Sequence, residues 1–388
     1  MNLSTPKSVI LEHKSKYEND MIKDIKIKNF RCFRDTEFKE FRQVNLIGGK
    51  NNSGKTAFLE AVFLNTSPKA RSIELLRRFR QIDSAFIKEM PERAWSTLFL
   101  NNDNREAEIE ISTDSQDNYT LKITCDESVE DFIKISSEED TKFEEEESEY
   151  KELRELLSNR ESTRSNLHLN YSINGKRDIS TTLIAYNEGV LGKETGVPNV
   201  KDIFFIPSSL KISSQSLAKE FDKADLNGLG ERVLEAFQII DSDISEVKTI
   251  SVGKPSIYLK TKQNDFLPIG LFGDAINKVS YFILKMINNR NSILLIDEIE
   301  NGIHYSNQEE LWHNIFKVAK EFDIQIFATT HSIEMIKAFA KIVGKYNNNI
   351  GSYFEFFKHR NTGEITTNIH DSNTLFFEID TNVAIRGE

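Results

Sequence analysis

No apolar run in this chain approaches the roughly 18 residues that a membrane-spanning helix requires, and 38% of its 388 residues are hydrophobic, enough for a sizeable core. Cysteine is scarce. Cys32 and Cys125 cannot form a disulfide framework, and neither has a companion at the Cys-x-x-Cys spacing of a metal site. The first twenty residues mix Lys and Glu and lack the apolar centre of a secretion signal, so they read as a flexible tail. Cytoplasmic localisation is the expectation.

Most of the chain also lacks an excess of either charge. Of the net −11, the segment Asp126 to Ser165 alone holds −9, with fifteen acidic and six basic residues. The remainder is nearly neutral, which argues against a strongly basic nucleic-acid surface. Glu144–Glu147 followed by Lys151–Leu157 predicts an acidic, partly disordered loop entering a short charged helix.

What the chain does contain is a complete phosphate-binding loop. The strand-like Val44–Ile47 runs into Gly48-Gly49-Lys50-Asn51-Asn52-Ser53-Gly54-Lys55-Thr56, and an apolar helical stretch follows from Ala57 to Leu64. From Gly49 this fits G-x-x-x-x-G-K-[ST]: glycines let backbone N–H groups curl around an anion, Lys55 neutralises phosphate charge, and the Thr56 hydroxyl holds Mg²⁺. The helix beginning there adds its unpaired amides and positive dipole end. Gly49, Asn51, Asn52, Ser53, Gly54, Lys55, Thr56 and Ala57 are therefore the candidate nucleotide-binding residues.

Two further strand ends complete the pattern. Ser292–Ile296 is almost wholly apolar and ends in Asp297-Glu298, as a buried parallel strand would present two carboxylates at its edge. Asp297 is placed to hold Mg²⁺ with Thr56, and Glu298 to orient and deprotonate an attacking water. Gln325–Thr330 is a second apolar strand, terminating in His331, and a β-α-β step would set the two strand ends side by side. His331 could then reach a γ-phosphate.

With these motifs in place, the chain resembles ATP-binding heads of the ABC type, specifically the SMC-like and OLD-like ATPases of DNA repair and bacterial anti-phage systems. The resemblance runs from Met21 onward through Ile25–Phe33, the phosphate loop, Phe205–Ser209, Pro268–Asp274, Leu294–His304 and Ala328–Ser332. It implies an α/β P-loop NTPase with a mixed sheet core, interrupted by a β-rich part, the acidic insert and a helical lobe between the two halves of the ATPase. It also implies that two heads sandwich ATP, with Glu300 to His304 as the loop crossing the interface, His331 as a switch residue, and Arg31 near the phosphates. From the residues alone, Arg31 would be one more exposed charge. The family's signature segment falls at Leu271-Phe272-Gly273-Asp274-Ala275, where the usual serine and one glycine are absent. Gly273 and Asp274 remain as candidate contacts to a partner's nucleotide. Gln81 is a candidate for the family's loop glutamine, in a helical setting that favours solvent.

The expected divisions are a tail over 1–20, an N-terminal half over 21–125 with a β-rich part, the acidic insert over 126–165 as a vestigial arm, a helical lobe with strands over 166–265, and the C-terminal half over 266–388. Asp297 lies 242 positions after Lys55, which requires such an insertion. Helices are expected over Arg71–Arg80, Leu217–Ile244 and Asp274–Ile287, and Asp241-Ser242-Asp243 reads as capping chemistry. The basic Arg71–Arg80 helix could touch a nucleic-acid backbone or pair with the acidic insert. A hairpin over Ser352–Thr366, not a Toprim nuclease, is expected after His331. Functionally, the expectation is a Mg²⁺-dependent ATPase, a homodimer or higher even oligomer, serving a separately encoded effector. A DNA-binding repair ATPase and a nucleotide-gated scaffold without appreciable turnover fit the same residues.

Overall fold

The computed structural model describes residues 20–127, 164–187, 189–196, 201–263, 265–346 and 350–370. Most of the acidic insert and the N-terminal tail lie outside them. In chain order the elements begin with β1 (Ile22–Phe30), β2 (Phe33–Phe38), β3 (Val44–Gly49), α1 (Lys55–Thr66), α2 (Ala70–Phe79) and α3 (Ser84–Glu89). There follow β4 (Glu106–Thr113), β5 (Asn118–Asp126), β6 (Ser165–Ile173), β7 (Lys176–Tyr186), β8 (Gly189–Thr195) and β9 (Ile203–Ile206). Next come α4 (Ser214–Leu226), α5 (Gly230–Ile240), β10 (Ile244–Ile250), β11 (Ser256–Thr261), β12 (Leu267–Pro268) and α6 (Asp274–Asn288). The chain continues with β13 (Ile293–Ile296), α7 (Gln308–Phe322), β14 (Gln325–Thr329), α8 (Ile333–Lys345), β15 (Gly351–Lys358) and β16 (Ile365–His370).

The central sheet has six strands in the order β16-β15-β3-β14-β13-β9. β15, β3, β14, β13 and β9 are parallel neighbours, and only the β15–β16 hairpin is antiparallel. Its strands are buried on both faces, which explains their continuous apolar runs. Alternation still sorts the side chains. Val44, Leu46, Leu294, Ile296, Ile326 and Ala328 face the helical side, in one core with α4 to α8. Ile47, Ile293, Leu295 and Phe327 face the other way, in a second core with α1 and the β-rich part.

That β-rich part is a seven-stranded antiparallel sheet, β2-β1-β4-β5-β6-β7-β8. The division expected between 125 and 166 does not separate two bodies here. β5 and β6 pair in register from Tyr119↔Ile173 to Asp126↔Asn166, so the acidic segment leaves and re-enters one sheet. The single helical stretch expected over Leu217–Ile244 is two helices, α4 and α5, broken at Asn227-Gly228, where Gly228 takes φ 72°. Asp241 stands at the C-cap of α5, its N–H donating to the Phe237 carbonyl, and its Oδ1 accepts the Asp243 N–H at 2.9 Å in the turn that follows.

Helix α1 lies between the two sheets, packed on β3, β9 and β14 below and on β1, β4 and β5 above. Eleven of its twelve residues are buried, the exception being Thr56. A helix buried on all sides has no solvent face to present, so its position is fixed by both layers. Phenylalanines fill the seam: Phe41 packs on Phe354 at 4.5 Å and on Phe327 at 5.1 Å, and Phe38 stacks on Phe356 at 4.9 Å while meeting Phe58 of α1 at the same distance. Removing one ring here opens a cavity that neither sheet can collapse into. Phe41→Ala is expected to cost about 3–5 kcal/mol of folding stability, read as a lowered denaturant midpoint with an unchanged slope.

Candidate active site

Parallel strands deliver their C-terminal ends to one edge of the sheet, and a ligand cleft forms outside that edge. Here the edge collects the loop after β3, Asp297-Glu298 after β13, and His331 after β14.

Lys55, at the start of α1, is 5% exposed. Its ammonium donates to the Gly49 and Lys50 carbonyls at 2.8 Å each and lies 3.4 Å from Ser53 Oγ. Burial pushes its pKa down to about 8, against the opposing pull of Asp297, Glu300 and Glu298. The loop thus curls around its own lysine, holding a cation where an anion would dock. Asn51 and Asn52 are exposed at the tip, Ser53 is buried, and Ala57 continues α1 inward. Gly54 takes φ 94°, and a Cβ there would meet Ile365 Cδ1 at 2.7 Å and Cys32 Sγ and the Phe33 ring at 3.1 Å each. The β1–β2 turn therefore presses directly on the loop, and burial there raises the Cys32 thiol to about 11.

Asp297 is 6% exposed and held by two hydroxyls. Thr56 Oγ1 donates towards its carboxylate at 3.1 and 3.2 Å, and Thr329 Oγ1 donates to Oδ1 at 2.7 Å. The same Thr329 hydroxyl accepts the Glu298 N–H at 2.9 Å. Glu298 sits at φ 50°, a left-handed conformation that a glutamate rarely adopts. The backbone therefore turns sharply just after Asp297, and the Glu298 side chain is separated from its neighbour's. Asn301 Nδ2 donates to Glu298 Oε2 at 2.6 Å, whereas Oε1 lies 3.9 Å from His331 Nε2.

His331 closes the arrangement. Its Nδ1 is 3.3 Å from the Lys55 ammonium, and its backbone N–H donates to Glu300 Oε1 at 2.6 Å. Burial, reinforced by the Lys55 charge, lowers its pKa below the ordinary histidine value. Lys55, Thr56, Asp297, Glu298 and His331 are thus one connected constellation drawn from three strand ends.

Three sequence expectations stand differently in the structure. Asn301 and Glu300, assigned only to an interface-crossing loop, hydrogen-bond within their own head to Glu298 and His331. Arg31 is not an exposed charge: its side chain is 10% exposed, its Nε pairs with Glu60 Oε2 at 2.8 Å, and its Nη1 donates to the Thr97 carbonyl at 2.8 Å. In the Arg71–Arg80 helix, Arg78 pairs with Glu74 and Arg80 with Glu60 at 2.6 Å, while most of the acidic segment expected as an alternative partner lies outside the described residues. Gln81 is exposed just past the end of α2.

Gly273 and Asp274 stand at the start of α6, and Gly273, at φ 92°, has no atom within 4 Å of a Cβ placed on it. No hydrogen bond among the described residues joins Gly273 to the constellation. α6 itself does reach it, because Lys278 Nζ lies 3.5 Å from the Glu298 carbonyl. Thr329, Glu60 and Lys278 were not singled out from sequence, and the contact of Asn301 with Glu298 was not foreseen. Only the register could have found Thr329: Ile296 pairs with Ala328, so the next rung faces Asp297 with Thr329.

Comparison with known proteins agrees with this architecture. A Helicobacter pylori protein named "ATP/GTP phosphatase" is 25% identical over 365 residues, covering 83% of this chain and 88% of the relative. An uncharacterised Methanocaldococcus jannaschii protein is 33% identical over 115 residues, 26% of this chain and 52% of that protein. Among solved structures, an SMC head bound to the C-winged helix domain of ScpA superposes with a TM-score of 0.53 at 12% identity, covering 90% of this chain and 97% of the other. An SMC head with an extended coiled coil, bound to the C-terminal domain of ScpA derived from Pyrococcus furiosus, gives 0.50 at 10% identity, covering 94% and 100%. The fold is that of an SMC-like P-loop NTPase head that includes an antiparallel β-rich sheet. Residues 44–337 match the family model described as "AAA domain, putative AbiEii toxin, Type IV TA system", and the chain belongs to that family.

Proposed function

We propose that this protein is a Mg²⁺-dependent ATPase whose heads pair around ATP, and that it serves as the sensing or switching subunit of a bacterial anti-phage defence system with a separately encoded effector. The observation that carries the hydrolytic part is the Asp297 carboxylate, fixed between the Thr56 and Thr329 hydroxyls beside a differently oriented Glu298. The relative named as an ATP/GTP phosphatase supports the reaction class, and the toxin–antitoxin family supports the defence setting. No described helix is long and apolar enough to cross a membrane.

The donor set suits Mg²⁺. Among the described residues no group of three or more His, Cys, Asp and Glu could enclose a metal unaided. Magnesium takes one or two protein oxygens and completes its shell with phosphate and water, and Asp297 with Thr56 offers that pair. When bound, the ion neutralises phosphate charge as the terminal bond breaks. The remaining roles fall to the chain. Lys55 and the first-turn amides of α1 bind the phosphates, with Gly49 and Asn51 to Ala57 forming the cradle. Asn301 holds one oxygen of Glu298 and leaves Oε1 to take the proton of an attacking water, while His331 stands at the γ-phosphate position beside Lys55.

Pairing of heads is supported by the surface around Gly273. Its backbone is open, and the nearby Leu271 is 70% exposed, an apolar side chain that a second head could cover. The SMC heads that share the fold were solved with a bound ScpA domain, which supports a head of this shape carrying a partner protein.

Lys55→Ala is expected to weaken ATP binding by roughly 1.5–3 kcal/mol or somewhat more, as charge-assisted contacts are worth, with the fold retained; calorimetry and a melting curve read both. An unchanged affinity would remove the phosphate-loop assignment. Glu298→Gln should bind ATP normally yet hydrolyse it roughly 10²-fold more slowly. With ATP and Mg²⁺ this variant should accumulate as a closed dimer or a higher even assembly in light scattering, because hydrolysis no longer reopens it. Gly273→Arg should abolish that assembly, since a bulky side chain fills the open approach. An oligomer indifferent to both ATP and Gly273→Arg would contradict the pairing.

A further inference from the structure

Glu300 is a half-buried carboxylate that the proposed reaction leaves without a task. It lies in the turn that leads the chain away from β13. The last paired rung of β13 and β14 is Ile296 with Ala328. Beyond it Glu298 takes its left-handed backbone, and the two segments stay joined by the Ile299 N–H, which donates to the Thr329 carbonyl at 3.0 Å. There the backbone ladder ends. The Thr330 N–H goes the other way, to the Ile47 carbonyl of β3 at 3.0 Å, and the His331 N–H meets no backbone carbonyl among the described residues. It meets the Glu300 side chain instead, donating to Oε1 at 2.6 Å.

The acceptor is firmly held and singly employed. Ile299 has no solvent exposure and packs in the helical-side core, and the Glu300 carbonyl accepts the Ile303 N–H at 2.9 Å, so the backbone around Glu300 is fixed. The second carboxylate oxygen, Oε2, is buried without a hydrogen-bond partner among the described residues. An unpaired buried acceptor is destabilising, and a charged one more so. A strand end alone would not call for that charge, whereas a charged acceptor makes the bond to the His331 N–H short and strong.

That bond governs where the imidazole lies. Nδ1 is 3.3 Å from the Lys55 ammonium, and Nε2 is 3.9 Å from Glu298 Oε1. An ammonium has protons to give and no lone pair, so Nδ1 is the acceptor and the ring proton sits on Nε2, on the side of Glu298. Burial, together with the Lys55 charge, disfavours a second ring proton. Displacement of the His331 backbone would take the ring off both neighbours at once.

We infer that Glu300 is the positioning residue of His331: its carboxylate stands in for the missing rung beyond β13 and holds the backbone N–H, so that the imidazole stays between Lys55 and Glu298 with its proton on Nε2. A displacement of about 1 Å in such a group can lower turnover by roughly 10²-fold. This inference rests on reading the site as a nucleotide phosphatase.

The test uses the full-length protein, following phosphate release with ATP and Mg²⁺, ATP affinity by calorimetry, and the nitrogen NMR spectrum of histidine-labelled, nucleotide-free protein, in which His331→Ala identifies the His331 signals. Glu300→Ala is expected to lower kcat by roughly 10- to 10²-fold, with ATP affinity near the parent's because Lys55 and the α1 amides are untouched. The parent ring should show the Nε2–H tautomer, and the variant ring a mixture of the two. Glu300→Gln keeps an oxygen for the N–H and should restore most of the lost kcat. The double variant Glu300→Ala with His331→Ala should be no slower than His331→Ala alone, because Glu300 acts through that ring. If Glu300→Ala does not fold, Glu300→Met, which fills the same space without an acceptor, carries the same expectations. A parent-like kcat or an unchanged ring spectrum in the folded variant, losses that multiply in the double variant, or a Glu300→Gln protein as slow as Glu300→Ala overturns the role. A parent that releases no phosphate overturns the reading of the site itself, whereas an active parent with an equally active variant overturns the role of Glu300 alone.

Discussion

Helix α1 has no face to spare. It is enclosed by a parallel sheet below and an antiparallel sheet above, and Thr56 is its one residue that is not buried. This constraint organises everything else. The phosphate loop can hold a fixed curve because the helix it feeds cannot rotate or slide, and the Thr56 hydroxyl meets Asp297 because both sheets agree on where α1 begins. Glu60 shows the cost of the arrangement: a carboxylate in the middle of such a helix is met by two arginines, brought from the β1–β2 turn and from the end of α2.

The same enclosure ties the nucleotide site to the antiparallel sheet. The turn after β1 carries Arg31 in a left-handed conformation, at φ 55°, and places Cys32 and Phe33 against Gly54. Movement of the antiparallel sheet would be felt at the loop through these contacts, and the acidic segment leaves that sheet between β5 and β6. On the opposite side, Lys278 of α6 reaches the Glu298 carbonyl, so the helix behind the exposed Gly273 touches the turn that carries the proposed base. A head that pairs through Gly273 and hydrolyses at Glu298 has a short physical route between the two events.

The arrangement of the candidate site was legible in the sequence where residue type and position both carried it. Lys55, Asp297 and His331 each end an apolar strand or open a helix, and parallel pairing alone brings such ends together. Thr329 was not legible, because its importance comes from facing Asp297 across a rung that only register defines. The partner of Arg31 was not legible from its residue type: a charged side chain in a turn is ordinarily solvated, and nothing in the local pattern shows that the turn folds back onto a buried glutamate 29 positions later. The strands after the acidic segment were placed with the helical lobe because they follow it in sequence, whereas antiparallel pairing returns them to the first sheet.

The central claim is that these strand ends form a working, metal-assisted phosphatase and not a nucleotide-gated clasp. Steady-state phosphate release by the unaltered protein, with ATP and either Mg²⁺ or excess EDTA, tests it most directly. The account predicts sustained turnover that requires Mg²⁺ and rises in proportion to protein once the heads are paired. Tight ATP binding with no phosphate release above background in Mg²⁺ would contradict it.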